Sequence, residues 1–165
     1  MNYFAYGSNL LHARLQARTP VARVLGTGIL EEHDSRFHKR GTDGSGKCDA
    51  FYTGASTHCV HGVVYHLDDA ARAVLDRIEG VGCGYCIKEI VLAVAGTSLD
   101  AFTYVVEDAY IDPNMQPFHW YKRFVVEGAR QNGFPPPYIA AIDAVVAKID
   151  PDEARRRRNV AIAAT

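Results

Sequence analysis

The sequence lacks the features of a membrane, exported or nucleic-acid-binding protein. No apolar run approaches the roughly 18 residues that a membrane-spanning helix needs. The opening residues, MNYFAYGSNL, have no basic stretch followed by an apolar run, as a signal peptide would. The formal net charge is only -1, which attracts neither nucleic acid nor a membrane surface. We therefore expect a cytoplasmic protein with no nucleic-acid or membrane partner.

Cysteine is also scarce, with four in the chain, and we expect these thiols to be reduced. Cys83 and Cys86 have the C-x-x-C spacing of redox and zinc sites. A redox pair needs a helix N-terminus beside its first thiolate, whereas here the helical pattern precedes the pair. Zinc would need further ligands from Cys48 or residues 58–61, and no second C-x-x-C exists. We interpret the pair as two reduced thiols beside a turn, and we predict no metal and no cofactor.

Internal repeats and linkers are missing as well, so one domain accounts for the 165 residues. The hydrophobic share of 48% and the charged share of 22% are those of a globular protein with a core. The one charged run is Arg155 to Arg158, which we interpret as solvated. We predict a domain over residues 1–151 and a basic C-terminal tail over residues 152–165.

Hydrophobic periodicity predicts an α+β fold, a mostly antiparallel sheet or small barrel with helices at its edges. β-Branched and aromatic segments predict strands over residues 2–6, 21–31, 35–40, 48–53, 60–67, 85–95 and 99–106. Apolar residues at helical spacing predict helices over residues 8–18, 68–78, 117–131 and 138–149. The segment 108–118 is predicted to be a surface loop.

The N-terminal stretch YFAYGSNL, residues 3–10, combines a strand, a glycine and the Ser-Asn start of a helix. The first N–H groups of a helix have no partner inside it, and they hold a carboxylate or phosphate well. The stretch lacks the glycine spacing and lysine of a nucleotide-binding P-loop. It is therefore either an anion-binding turn or merely a capped helix.

Glu79 falls at the end of the predicted helix 68–78 and is followed by Gly80. A carboxylate there opposes the helix dipole, which costs about 0.3–1 kcal/mol. One interpretation is a surface ion pair with Arg77 or Lys88, and the other is a general base.

Three segments carry a family resemblance, namely YFAYGSNL at residues 3–10, LDRIEG at residues 75–80 and YKRFVVEGARQNGFPPPY at residues 121–138. Together they resemble the gamma-glutamylcyclotransferase family. The resemblance extends from about residue 1 to residue 151. It implies a small β-barrel flanked by helices, with one catalytic glutamate facing a cavity lined by backbone.

The resemblance also implies the function and the site. The expected reaction is attack of the substrate α-amine on its own γ-carbonyl, which releases 5-oxoproline and an amino acid or amine. The alternatives are a relative acting on a γ-glutamylamine or a γ-glutamyl-protected metabolite, and a binding module without turnover. A homodimer is compatible with the family. The catalytic residue would be Glu79, and the substrate-binding residues would be Tyr3, Phe4, Ala5, Tyr6, Gly7, Ser8, Asn9, Tyr85 and Tyr121.

Overall fold

The computed structural model describes residues 1–163, which form a curled sheet, a separate hairpin and flanking helices. The strands are β1 Asn2–Ala5, β2 Arg23–Glu31, β3 His33–Arg40, β4 Gly46–Tyr52, β5 Cys59–His66, β6 Tyr85–Val94 and β7 Thr97–Val106. The helices are α1 His12–Gln16, α2 Asp69–Glu79, α3 His119–Gln131, α4 Pro136–Asp143 and α5 Glu153–Ile162, with 3-10 turns at Ser8–Leu10 and Asp108–Tyr110. None of the helices in this part of the chain is long and apolar enough to cross a membrane.

The main sheet has the strand order β2-β5-β1-β7-β6 and is antiparallel except for the parallel contact between β1 and β7. Its two edge strands curl toward each other. A Cβ atom on Gly28 of β2 would lie 3.5 Å from Leu92 Cδ1 of β6. A register shift between Val24 and Gly26 bends β2 in the way that a bulge does. The α+β half-barrel agrees with the fold class predicted from the sequence.

Helix α2 follows the sequence prediction at both ends. The Asp68 carboxylate accepts a hydrogen bond of 2.7 Å from the N–H of Ala71, which caps the first turn. At the other end Gly80 has φ 72°, a left-handed conformation that favours glycine and stops the helix directly after Glu79. Ala71 and Leu75 bury the apolar face of the helix.

The predicted helix 8–18 is interrupted. Leu11 is extended, with φ -74° and ψ 116°, and separates the 3-10 turn Ser8–Leu10 from helix α1. Ser8 makes no capping hydrogen bond through its side chain, contrary to the expected cap. Helix α3 lies directly against this turn, because a Cβ on Gly128 would come within 2.5 Å of Leu10 Cβ. The close packing fixes the turn in place.

Two C-terminal predictions need correction. The predicted helix 138–149 ends at Asp143, because Lys122 Nζ donates to the carbonyls of Asp143 (2.6 Å) and Val145 (3.0 Å). The segment predicted as a basic tail contains helix α5, which Asp152 caps by accepting from the N–H of Arg155 at 2.9 Å. The last two residues of that predicted tail, 164 and 165, lie outside the described residues.

Candidate active site

Glu79 is held in place by two side chains from the N-terminal region. Its Oε1 atom accepts hydrogen bonds from Arg18 Nη1 at 2.8 Å and from Asn9 Nδ2 at 3.1 Å. Arg18 Nη1 also donates to Asn9 Oδ1 at 2.9 Å, so the three side chains form a closed triangle. The side chains of Arg18 and Glu79 are only 14% and 17% exposed, which strengthens their ion pair relative to one in water.

The ion-pair partner of Glu79 differs from both sequence candidates. Neither Arg77 nor Lys88 contacts it, and Lys88 Nζ instead lies 2.7 Å from His33 Nε2. The second carboxylate oxygen, Oε2, has no hydrogen-bond partner within residues 1–163. One oxygen is therefore fixed and the other is available to a ligand.

The 3-10 turn Ser8–Leu10 lines the same cavity as Glu79 through Ser8 and Asn9. Its first hydrogen bond runs from Leu10 N–H to the Gly7 carbonyl at 3.0 Å, so the N–H groups before Leu10 have no partner inside the turn. A Cβ on Gly7 would lie 3.2 Å from Cys48 Cβ and 3.4 Å from Tyr121 Oη. Glycine therefore permits this close approach of the backbone to the cavity.

This inner cavity has a volume of about 30 Å³. Five tyrosines line it, namely Tyr3, Tyr6, Tyr85, Tyr104 and Tyr121. The other lining residues are Gly7, Ser8, Asn9, Cys48 and Glu79. The structure thus brings together Glu79 and seven of the nine residues predicted to bind substrate, although their roles stay predictions.

Phe4 and Ala5 were predicted to bind substrate but are not among the residues that line the cavity. Both are fully buried in the core. Successive side chains of a strand point to opposite faces, so Phe4 points away from the face on which Tyr3 meets the cavity. Phe4 and Ala5 therefore contribute to the packing of the sheet that carries the site.

Cys48 and Tyr104 line the inner cavity and were missed by the sequence analysis. Cys48 organises the site through its backbone, because its N–H donates to Tyr121 Oη at 3.1 Å and its carbonyl accepts from Tyr85 Oη at 2.6 Å. Burial raises the pKa of the Cys48 thiol to about 12, so it is not a nucleophile at neutral pH. No motif marks Cys48, since only its position on β4 brings it to the cavity.

The tyrosines of the site are neutral hydroxyl groups at pH 7. Burial raises the pKa of Tyr6, Tyr85 and Tyr121 well above the ordinary value for tyrosine. Tyr3 Oη accepts from Asn9 Nδ2 at 3.0 Å, which links it to the Glu79 triangle. The inner cavity therefore presents one carboxylate amid neutral polar groups.

An outer cavity of about 290 Å³ adjoins the inner one and shares Ser8, Glu79, Tyr85 and Tyr121 with it. Five cationic side chains line it, namely Arg14, Arg18, Lys39, Lys47 and Arg155. Two carboxylates, Asp43 and Glu79, face them. The site thus has an inner part whose one charged group is the Glu79 carboxylate and an outer part lined mainly by cations.

Cys83 and Cys86 are exposed free thiols and line neither cavity. No group of three or more His, Cys, Asp or Glu side chains within residues 1–163 is arranged to hold a metal ion. A larger open cleft of about 690 Å³ lies between β2 and β6, and Glu79 is not among its lining residues. We place the candidate site at the smaller cavities, because there a carboxylate, a glycine turn and buried hydroxyl groups converge.

The curled α+β fold and a cavity lined by one carboxylate and a glycine turn define a class of protein. Comparison with known proteins identifies that class. The model of the AIG2-like family matches residues 59–142, about half of the chain. "Gamma-glutamylcyclotransferase" of Mus musculus is 30% identical over 151 residues, which cover 87% of this chain and 77% of the relative. The protein of the same name from Homo sapiens is 29% identical over the same shares.

Two solved structures show the same architecture. One, a "gamma-glutamyl cyclotransferase", has a TM-score of 0.82 at 25% identity and covers 97% of this chain and 98% of its own. The other, a Homo sapiens protein described as uncharacterized, has a TM-score of 0.81 at 26% identity and covers 96% and 97%. The chain belongs to the gamma-glutamylcyclotransferase family, within the AIG2-like family, and the names of its relatives support an enzyme of this family. The family and fold predicted from the sequence are confirmed.

Proposed function

We propose that the protein is a gamma-glutamylcyclotransferase that cleaves a γ-glutamyl amide by cyclisation. The substrate α-amine attacks its own γ-carbonyl carbon, a C–N bond of the new ring forms, and the original amide C–N bond breaks. The products are 5-oxoproline and an amino acid or amine. The observation that carries the proposal is that Glu79 is the single carboxylate of the inner cavity, which the glycine turn at Gly7 and Ser8 also lines.

Glu79 is suited to move the protons of this reaction. A free α-amino group has a pKa of roughly 8, so most of it is a non-nucleophilic ammonium at pH 7. The free Oε2 atom of Glu79 would accept a proton from the α-ammonium and return it to the leaving nitrogen. Arg18 and Asn9 hold Oε1 and so act as positioning residues for this transfer.

The rest of the cavity would hold and polarise the substrate. N–H groups at Gly7 and Ser8 would bind substrate oxygens and stabilise the negative charge that develops on the γ-carbonyl oxygen. The neutral hydroxyl groups of Tyr85 and Tyr121 line the same cavity. Because the nucleophile belongs to the substrate, holding the chain folded supplies much of the acceleration by proximity.

The test is the substitution Glu79→Gln, with Glu127→Gln as the matched control on the surface of α3. Glutamine keeps an oxygen to accept from Arg18, so the fold should be retained, although loss of the largely buried ion pair should lower the thermal unfolding midpoint. Release of 5-oxoproline from γ-glutamyl-alanine should fall by about 100-fold or more, the usual scale for a general acid–base group. Near-normal turnover by the Glu79→Gln variant would contradict the mechanism.

The same assay separates the alternative functions. Comparing γ-glutamyl-alanine, glutathione and a γ-glutamylated polyamine as substrates distinguishes amino-acid, peptide and amine leaving groups. Tight binding of 5-oxoproline without conversion of any γ-glutamyl compound would identify a binding module instead.

A further inference from the structure

We propose that Asp49, held by His38, is a positioning residue that acts on the site from outside it. Asp49 fixes the main chain of Cys48, and Cys48 in turn fixes the hydroxyl groups of Tyr85 and Tyr121. Neither Asp49 nor His38 lines the inner or the outer cavity. Their effect on the substrate rests on the proposed function, whereas their effect on Cys48 does not depend on it.

A bulge in the β3–β4 hairpin leaves the main chain of Cys48 free to bind side chains. On β4 the neighbours Lys47 and Asp49 have register partners on β3, whereas Cys48 between them has none. Two residues of β3, Phe37 and His38, bulge opposite it, and such a bulge interrupts the ladder of hydrogen bonds. The N–H and the carbonyl of Cys48 bind the hydroxyl groups of the two tyrosines instead.

The same bulge buries two successive side chains of β3. In a regular strand neighbouring side chains point to opposite faces, yet Phe37 and His38 are both buried. The Phe37 ring packs edge-on against the Tyr121 ring, with the centroids 6.3 Å apart. The His38 ring reaches β4, where its Nε2 atom lies 2.8 Å from Asp49 Oδ2. One side chain of the bulge therefore supports Tyr121 and the other holds Asp49.

The carboxylate of Asp49 connects the hairpin to the main sheet. Strands β3 and β4 are not part of the hydrogen-bonded order of that sheet. Asp49 Oδ1 accepts a hydrogen bond of 3.0 Å from the N–H of Val106, the last residue of β7, while Oδ2 is held by His38. Both oxygens need these partners, because the side chain is buried and an unsatisfied buried charge is costly. The carboxylate thus ties β4 to the end of β7.

This connection completes a ring of contacts that includes Tyr85. Val106 is the register partner of Tyr85 on β6. Tyr85 Oη donates to the carbonyl of Cys48 at 2.6 Å, and Cys48 directly precedes Asp49 in the chain. The four residues are therefore joined in a closed ring by hydrogen bonds, a strand pairing and a peptide bond. Loss of the Asp49 carboxylate opens the ring beside Cys48 and loosens the two hydroxyl groups that its main chain holds.

Glu79 is fixed by other elements, and this separation predicts a kinetic signature. Its partners Arg18 and Asn9 come from the N-terminal region and not from the hairpin. Opening the ring should therefore weaken substrate binding without changing proton transfer. Binding that is lost equally in the ground state and the transition state raises KM and leaves kcat unchanged. A variant that is only less stable has fewer folded molecules, so its kcat falls while its KM is unchanged.

The experiment compares Asp49→Ala with Asp49→Asn, with γ-glutamyl-alanine as the substrate. Asp49→Ala should raise KM at least about tenfold, the scale of two lost hydrogen bonds, and keep kcat within about threefold. Asparagine retains an oxygen that accepts from the N–H of Val106, so Asp49→Asn should keep KM within about threefold of wild type. Asp34→Ala is the matched control and should change neither constant, because Asp34 lies on the same hairpin but is 44% exposed and lines neither cavity.

The division of the loss between KM and kcat decides the outcome. A loss that lies mainly in kcat, or no loss at all, overturns the positioning role while cyclotransferase activity stands. The same conclusion follows if Asp49→Asn is as impaired as Asp49→Ala. If Asp49→Ala does not fold, His38→Phe decides instead, because it keeps a ring and removes the donor to Asp49. A KM equal to that of the wild type in this variant overturns the role.

Alkylation of Cys48 tests the ring without any turnover. In the wild type Cys48 is buried, so iodoacetamide should label it only slowly. Mass spectrometry should show labelling at least about tenfold faster in Asp49→Ala, whose ring opens locally, and as slow as in the wild type in Asp34→Ala. If no γ-glutamyl compound is converted, faster labelling still supports the ring, and the failure belongs to the proposed function alone. Unchanged labelling of Cys48 overturns the ring itself.

Discussion

The two oxygens of Glu79 have different surroundings, and this difference gives a lone carboxylate a defined orientation. Oε1 is fixed by Arg18 and Asn9, whereas Oε2 is free toward the cavity. The sequence identified Glu79 and Asn9 through the family motifs but not Arg18. The Arg18–Glu79 pair spans 61 residues of chain, so no helical or strand spacing could have predicted it. The charges in the neighbouring turns suggested Arg77 and Lys88 instead, and that prediction was wrong.

Three of the four cysteines, Cys48, Cys83 and Cys86, should differ in reactivity because of where they lie. Cys83 and Cys86 are exposed and line neither cavity, while Cys48 is 1% exposed and its raised pKa keeps it a thiol. We expect the double substitution Cys83→Ser and Cys86→Ser to leave 5-oxoproline release within about twofold of wild type, as for other surface changes. Under native conditions iodoacetamide should label Cys83 and Cys86 but spare Cys48, which mass spectrometry can show. A large loss of activity in the double variant would contradict this interpretation.

Secondary-structure elements were predictable where local signals decide them. Helix α2 was predicted almost to the residue, because Asp68 caps it and Gly80 ends it. Predictions failed where a distant side chain decides the outcome. Lys122 ends α4 by binding two carbonyls, and α3 packs so closely on the N-terminal turn that the predicted helix 8–18 is broken there. Contacts of this kind leave no periodic pattern in the sequence.

Helix α5 contains the run Arg155 to Arg158, and here too a distant side chain decides the structure in a way that the sequence did not predict. Arg155 Nε donates to Asp150 Oδ2 at 2.7 Å, and the side chain of Asp150 is fully buried. Trp120 Nε1 also donates to this carboxylate at 2.8 Å. The hydrogen bonds from Arg155, with that from Trp120, hold the pKa of Asp150 well below its usual range. One arginine of the run therefore anchors the helix, although the run as a whole was predicted to be solvated.

Arg155→Met should destabilise the protein much more than Arg157→Met. The first change leaves a buried carboxylate without its counter-ion, which costs about 3 kcal/mol of unfolding free energy. The second removes only an exposed pair with Glu153, worth at most about 0.5 kcal/mol. Urea denaturation monitored by circular dichroism measures both. Equal, small effects would mean that the segment after residue 151 is a solvated tail after all.

At the scale of the whole molecule, the α+β architecture and the family were predictable because the motifs extend over nearly the entire chain. The half-closed shape of the sheet was not predictable from the sequence. Whether two edge strands pair depends on packing between residues far apart, such as Gly28 of β2 and Leu92 of β6. These strands approach without joining the hydrogen-bonded strand order, so the barrel stays open along one side.

The buried tyrosines make the folded molecule sensitive to alkali. Burial raises the pKa of seven of the nine tyrosines, namely Tyr3, Tyr6, Tyr65, Tyr85, Tyr104, Tyr121 and Tyr138. A group whose pKa is raised in the folded state contributes its full stabilisation of the fold below its unfolded-state pKa, which is about 10 for tyrosine. The fold loses this stabilisation as the pH rises above that value. At pH 11 each such tyrosine lowers the free energy of unfolding by about 1.4 kcal/mol. Seven together approach the stability of a whole domain, roughly 10 kcal/mol.

We therefore expect cooperative unfolding near pH 11, measured by circular dichroism together with the phenolate absorbance of tyrosine. Tyr65→Phe removes one of the buried hydroxyl groups, whose only hydrogen bond within residues 1–163 is a long one of 3.3 Å to the Asn9 carbonyl. Above pH 10 this variant should lose stability less steeply, by about 1.4 kcal/mol per pH unit. Tyr52→Phe changes a tyrosine that is 57% exposed and should leave the slope as in the wild type. If the phenolate absorbance shows that the buried tyrosines ionise below pH 11 while the circular dichroism is unchanged, buried protons do not control alkaline stability, because the folded state then ionises as readily as the unfolded one.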